Sequence, residues 1–89
     1  MITLIAYDIA ESRRREKVAR LLADHGGTRI QYSVFELDLA PARLHALQLR
    51  LAVLIRPAVD RLHFYPVCKT CFAKANSIGA SYQGLLPAL

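Results

Sequence analysis

Thr28-Arg29-Ile30-Gln31-Tyr32-Ser33-Val34-Phe35-Glu36-Leu37-Asp38-Leu39 changes the phase of its own alternation part-way along. Ile30, Tyr32 and Val34 put apolar side chains at even positions, whereas Phe35, Leu37 and Leu39 put them at odd positions. The polar residues switch in step, from Arg29, Gln31 and Ser33 to Glu36 and Asp38. Strand side chains alternate between faces, so a slip of one residue moves every side chain to the opposite face. One straight strand cannot hold this pattern against a single core. The segment is expected to hold either a bulge near Ser33-Val34-Phe35 or two short strands that meet there.

Upstream, Ile2 to Tyr7 is apolar on both parities, with Ile2, Leu4 and Ala6 on one face and Ile5 and Tyr7 on the other. A strand of this kind is central and covered on both sides. A helix follows: Ser12 serves as its N-cap, Glu11 lies near the positive end of the dipole, and Val18, Leu21 and Leu22 form the apolar stripe. His25-Gly26-Gly27 ends it. Downstream, Pro41 suits the first turn of a second helix, with Leu44, Leu47, Leu51 and Leu54 along one face and a stop before Pro57. A last strand is read from Val59 to Val67, and Cys68 to Asn76 as a short turn or helix.

Strand, helix, strand pair, helix, strand is the split βαβ order of the ferredoxin-like fold, an α+β sandwich with an antiparallel sheet and two helices on one face. The other face is bare in a single chain, yet the first strand is apolar on that side too. A second copy of the chain is expected to cover it. Residues 1–79 are assigned to the domain and 80–89 to a C-terminal tail, where Tyr82, Leu85 and Leu86 are apolar enough to pair with something.

The 89 residues make one domain, and 54% of them are hydrophobic. A core this small is marginal alone, and a two-fold dimer is the commonest remedy. The longest apolar run, near Leu51 to Ile55, falls between Arg50 and Arg56 and is far short of the ~20 residues of a membrane span. The start has no basic region before Asp8, so it reads as a core strand and not a signal peptide. A cytoplasmic location, without membrane contact, and reduced cysteines are expected. The net charge of +5 permits contact with phosphate backbones without proving it.

Asp8 ends the first strand. It either caps the turn into the helix or contributes to a divalent-metal site. One carboxylate cannot hold Mg²⁺ unaided, but near a two-fold axis Asp8 would meet its own copy. Arg13, Arg14, Arg15, Lys17 and Arg20 form a basic cluster, either for phosphate contact or as a solvated helix face. Cations at the positive end of a helix dipole are unfavourable, which favours a functional reading. Arg29, read on the polar face of its strand, would extend the patch. Tyr7, Tyr32, Phe35 and Tyr65 read as core or interface more than as base-stacking platforms. Cys68-x-x-Cys71 lacks the further ligands a zinc site needs, and His63 lies in a strand, so both cysteines read as small apolar filler with free thiols. His25 and His45 read as helix-surface residues.

Several stretches together resemble the CRISPR-associated protein 2 family. These are Met1-Ile2-Thr3-Leu4-Ile5-Ala6-Tyr7-Asp8-Ile9, Arg14-Arg15-Glu16-Lys17-Val18-Ala19-Arg20-Leu21-Leu22, Arg29-Ile30-Gln31-Tyr32-Ser33-Val34-Phe35-Glu36, and Phe64-Tyr65-Pro66-Val67-Cys68. The resemblance covers roughly residues 1–79. It implies a ferredoxin-like homodimer whose C-terminal strand or tail is exchanged with the partner. It implies that Asp8 from both subunits is the metal site, for one shared Mg²⁺ or Mn²⁺ with no organic cofactor. Tyr7, Arg15, Arg29 and Phe35 match its functional basic and aromatic positions, with Lys17 where some members have arginine. Metal-dependent endonuclease activity on single-stranded RNA or double-stranded DNA is implied. So is a role as the subunit that joins two dimers of CRISPR-associated protein 1, the integrase, with duplex prespacer DNA held by basic residues. The competing reading is a small ferredoxin-like regulatory or ligand-binding module without nucleic-acid function.

Overall fold

A computed structural model of the chain describes residues 1–76 and 78. Its elements run β1 (Ile2–Asp8), α1 (Ser12–Asp24), β2 (Thr28–Gln31), β3 (Val34–Asp38), α2 (Pro41–Leu54), β4 (Arg61–Val67) and α3 (Lys69–Ala73). The strands form one sheet in the order β2-β3-β1-β4, and each neighbouring pair is antiparallel. This is the ferredoxin-like βαββαβ arrangement expected from the sequence, with a short helix added after β4. The tail at 80–89 and its exchange with a partner lie outside the described residues.

The phase change resolves into a hairpin. Tyr32 and Ser33 turn the chain between β2 and β3, and a register shift lies between Arg29 and Gln31. Gln31 pairs with Val34, but Arg29 pairs with Phe35 and Thr28 with Glu36. An unbroken ladder from Gln31–Val34 would set Arg29 opposite Glu36. The bulge at Ile30 shifts the upstream residues by one place, so Arg29 shares the side of Phe35. The expectation that Arg29 sits on the polar strand face is therefore corrected.

Two further corrections concern element ends. Glu11, not Ser12, is the N-cap of α1, and no side chain caps that end. β4 begins at Arg61 and not Val59, because Asp60 closes the turn after α2 through its N–H to the Arg56 carbonyl at 2.7 Å. At the other end of α1, Gly26 takes a positive φ of 85°. A Cβ on Gly27 would stand 2.6 Å from the Leu22 carbonyl oxygen, so only glycine permits the close return of the chain onto the helix.

The core lies between the helices and one face of the sheet. Val18 and Leu22 of α1 and Leu47 and Leu51 of α2 pack with Ile5, Tyr7, Phe35 and Leu37. Each such aliphatic side chain, fully buried, contributes roughly 1.5–3 kcal/mol. The odd-numbered residues of β1 thus face the helices. Leu4 and Ala6, on the other parity, are only half-buried, and Tyr65 beside Leu4 is 52% exposed. One sheet face is consequently uncovered within a single chain, with Leu4, Ala6, Val34 and Tyr65 at its middle and Asp8, Glu36, Asp38, Arg61 and His63 around them. Among the described residues no helix is long and apolar enough to cross a membrane.

Candidate nucleic-acid interface

Adjacent strand residues point to opposite faces, and this divides the candidate site at Tyr7–Asp8. Tyr7 is 5% exposed and belongs to the helix-side core. Asp8, the last residue of β1, is exposed. Its cross-strand partner is Arg61 of β4, an opposite charge that sequence reading did not single out. The residues predicted to act together therefore fall into two groups.

The first group is gathered on the helix side. The Arg29 Nη2 donates to the Tyr7 hydroxyl at 3.3 Å, and its guanidinium lies over the Phe35 ring, 5.1 Å from the centroid. Tyr7 and Phe35 are themselves in tilted contact, with centroids 6.2 Å apart. The bulge at Ile30 produces this set by turning Arg29 towards Phe35. The Tyr7 hydroxyl in turn reaches the Tyr32 carbonyl through a long bond of 3.4 Å. Beside them opens a hollow of about 480 Å³ lined by Tyr7, Ser12, Arg15, Arg20, Arg29 and Tyr32, together with Glu16 and Ala19. Arg15 is anchored by a 3.4 Å bond from Nη1 to the Ile9 carbonyl. Phe35 is 4% exposed, so it acts as the floor beneath Arg29 and offers no face to a base. Tyr32 is 61% exposed at the rim.

The basic cluster on α1 also divides. Arg13, Lys17 and Arg20 are exposed and line a shallow hollow with Glu16. Arg14 is turned the other way. Its Nε and Nη2 donate to the two carboxylate oxygens of Asp60 at 2.8 and 3.2 Å, and Nη1 reaches Glu11 at 3.2 Å. Asp60 also accepts the N–H groups of Ala10 at 3.0 Å and Arg56 at 2.9 Å. Hydrogen bonding from Arg14 chiefly, then from these two amides, outweighs burial and holds the Asp60 carboxyl far below the usual carboxylate range. Sequence reading missed Asp60: nothing local to the α2–β4 turn announces a partner 46 positions away.

On the uncovered sheet face, Glu36 stands between Thr28 and Leu4 in the ladder. Burial first, and then neighbouring Asp38, raise its carboxyl pKa. Asp38 is itself lowered, by Lys69 and the terminal amine, which lie 3.0 and 3.2 Å from it. Among the described residues no three His, Cys, Asp or Glu side chains cluster to hold a metal. Asp8 supplies a single exposed carboxylate per chain. Such a carboxylate is a hard oxygen donor of the kind that Mg²⁺ and Mn²⁺ accept beside waters and substrate phosphate, but alone it makes no site. Cys68 and Cys71 are free thiols, as expected, but both are exposed, which corrects their reading as apolar filler. His45 is exposed, as expected, whereas His25 is half-buried, with Nδ1 donating to the Leu21 carbonyl at 2.9 Å.

Comparison with known proteins decides the lineage. The family model described as CRISPR associated protein Cas2 matches residues 1–75. The chain belongs to this family. The CRISPR-associated endoribonuclease Cas2 4 of Rhodospirillum rubrum is 39% identical over 80 residues, spanning 90% of this chain and 64% of that relative. The chain thus spans less than two thirds of that relative's length. The CRISPR-associated endoribonuclease Cas2 3 of Synechocystis is 47% identical over 64 residues, 72% of this chain and 68% of the relative. Crystal structures agree. Streptococcus pyogenes Cas2 at pH 6.5 superposes with a TM-score of 0.80 at 31% identity, covering 89% of this chain and 100% of that one. A hypothetical protein from Thermus thermophilus also gives 0.80, at 34% identity, with 92% and 94% covered. The matched region of the family contains Tyr7, Asp8, Arg15, Arg29 and Phe35.

Proposed function

We propose that this chain is the homodimeric, nucleic-acid-binding subunit of a spacer-integration complex. It docks the CRISPR-associated protein 1 integrase, holds duplex prespacer DNA or RNA by its backbone, and carries metal-dependent phosphodiesterase activity at paired Asp8 residues. The observation that carries this reading is the gathering of Arg15, Arg20 and Arg29 around one hollow, with Arg13 and Lys17 exposed next to it. Sequence-independent binding of a polyanion runs on such cations, because each neutralised phosphate releases counterions. Membership of the family and the endoribonuclease names of its relatives support the nuclease part.

In this reading, the uncovered sheet face joins a second copy, and exposed Asp8, on the same parity as Leu4 and Ala6, is carried towards its counterpart. A divalent ion bound there would activate water and polarise a phosphodiester. The chain's own residues do the rest. The paired carboxylates hold the site's negative charge in place. Arg13, Lys17 and Arg20 fix the strand by its phosphates. Arg29 adds its charge to the hollow at low ordering cost, since Phe35 and Tyr7 already define its position. The two groups serve different steps: backbone capture on the helix side, bond cleavage on the sheet side.

Anisotropy of a labelled short duplex at low salt tests the binding role. Saturable binding whose log K falls linearly with log salt supports it. No detectable binding would leave the regulatory-module reading in its place. Deletion of residues 80–89 tests the tail: loss of co-purification with the integrase subunit marks it as the docking element, and unchanged co-purification refutes that.

A further inference from the structure

On α2, Leu49 is 59% and Val53 84% exposed, one helical turn apart on the same face. Val53 lines a groove of about 440 Å³ between α1 and α2 whose floor is Leu21, Val53 and Leu54. The rim is Lys17, Arg20 and Asp24 of α1 and Arg50 of α2. Helical spacing builds both walls: Lys17, Arg20, Leu21 and Asp24 fall at i, i+3, i+4 and i+7, and Arg50, Val53 and Leu54 at i, i+3 and i+4. Leu21 and Leu54 rest on the core, so the floor is fixed before anything binds. Among the described residues, Lys17, Arg20 and Arg50 enter no ion pair.

An exposed apolar patch with a polar rim marks an interaction surface. Its rim carries three cations against one carboxylate, which selects an acidic partner. The floor is wholly aliphatic, with no ring on which a base could stack, and a duplex backbone has no apolar group to cover it. A second copy would bring the same three cations to the rim, and residues 77–89 of the chain hold no Asp or Glu. We propose that the groove between α1 and α2 docks an acidic amphipathic helix of another protein. Its aliphatic side chains cover Leu21, Val53 and Leu54, and its carboxylates meet Lys17, Arg20 and Arg50. Leu49 extends the apolar contact by one turn. Lys17 and Arg20 also line the shallow hollow with Arg13, so the docked helix and a duplex compete for these two cations. That competition rests on the nucleic-acid reading, whereas the docking does not.

Anisotropy of a labelled peptide of roughly 20 residues, with leucine at i, i+3, i+4 and i+7 and glutamate elsewhere, tests this on the full chain. The expected result is saturable binding that neither a scrambled peptide of the same composition nor one with lysine for glutamate reproduces. Val53→Ser and Arg50→Glu are each expected to weaken it at least about tenfold. Both side chains are exposed and outside the duplex surface, and Val53→Ser should leave Tm and low-salt duplex affinity unchanged. Equal binding of the scrambled peptide, or affinity unmoved by Val53→Ser, would overturn the docking. Displacement of labelled duplex by excess patterned peptide supports the competition, and peptide and duplex bound together would overturn it. A parent that binds the peptide but no duplex would uphold the docking and refute the nucleic-acid reading.

Discussion

The Arg14 Nε and the Asp60 Oδ2, on residues 46 positions apart, meet at 2.8 Å and bind the start of α1 to the turn before β4. The carboxylate is wholly buried, and two backbone amides complete its shell. This contact explains how α1 tolerates three arginines in its first turn without an acid there. One of them is neutralised from below, while Arg13 and Arg15 remain for the surface. The same carboxylate holds Ala10, two residues beyond Asp8, so the chain just past the candidate metal ligand is braced by a residue 50 positions away.

Asp60→Ala is expected to lower Tm by more than about 10 °C, because it leaves the Arg14 charge and two amides without their acceptor. The folded-state pKa of Asp60 is depressed, so its stabilising contribution is complete above the unfolded value of about 3.9 and is lost as pH falls below it. Urea unfolding of the parent and Asp60→Asn should differ most at pH 7 and converge towards pH 2. A gap that stays constant over this range would contradict the ion pair.

Arg13→Ala, Lys17→Ala and Arg20→Ala should each weaken duplex binding and reduce the slope of log K against log salt by about 0.9, with Tm nearly unchanged. Arg14→Ala should do the reverse, losing stability at once and moving the slope little. Equal slopes for all four variants would mean that the division of the basic cluster is wrong.

Glu36 gives pH dependence of opposite sign to Asp60. Its carboxyl pKa is already raised by burial, and a second copy over the sheet would raise it further. Association should therefore tighten as pH falls through the Glu36 pKa and weaken as pH rises. Sedimentation equilibrium between pH 7 and pH 5 reads this, and Glu36→Gln should flatten the dependence. An unflattened profile would remove Glu36 from the pairing face.

Asp8→Asn should leave Tm and duplex affinity close to the parent, since the side chain is exposed. Cleavage in Mn²⁺ should disappear. Cleavage that survives both this change and a chelator would assign the activity elsewhere.

Most of the fold was legible in the sequence, because period-two and period-3.6 patterns report directly on which side of an element is buried. Leu47 and Leu51, Val18 and Leu22, and Ile5 and Phe35 all lie where their spacing put them. The break between Tyr32 and Val34 was legible as a break, and the structure made it a turn. The bulge at Ile30 was hidden, since one slipped residue in a four-residue strand leaves no period to measure. That slip moved Arg29 to the aromatic side. The Arg14–Asp60 contact was hidden for a different reason: long-range ion pairs leave no local pattern. Asp8 was legible as the end of a buried strand, but its separation from the arginine hollow required the sheet itself.

Sedimentation velocity at micromolar concentration, on the parent and on Leu4→Asp, tests the sheet-to-sheet pairing that would bring the Asp8 residues together. Pairing predicts that the parent runs at twice the 9.9 kDa chain mass and that a carboxylate at the centre of the uncovered face returns it to the single-chain mass. A parent that runs at the single-chain mass, or a dimer indifferent to Leu4→Asp, would contradict it.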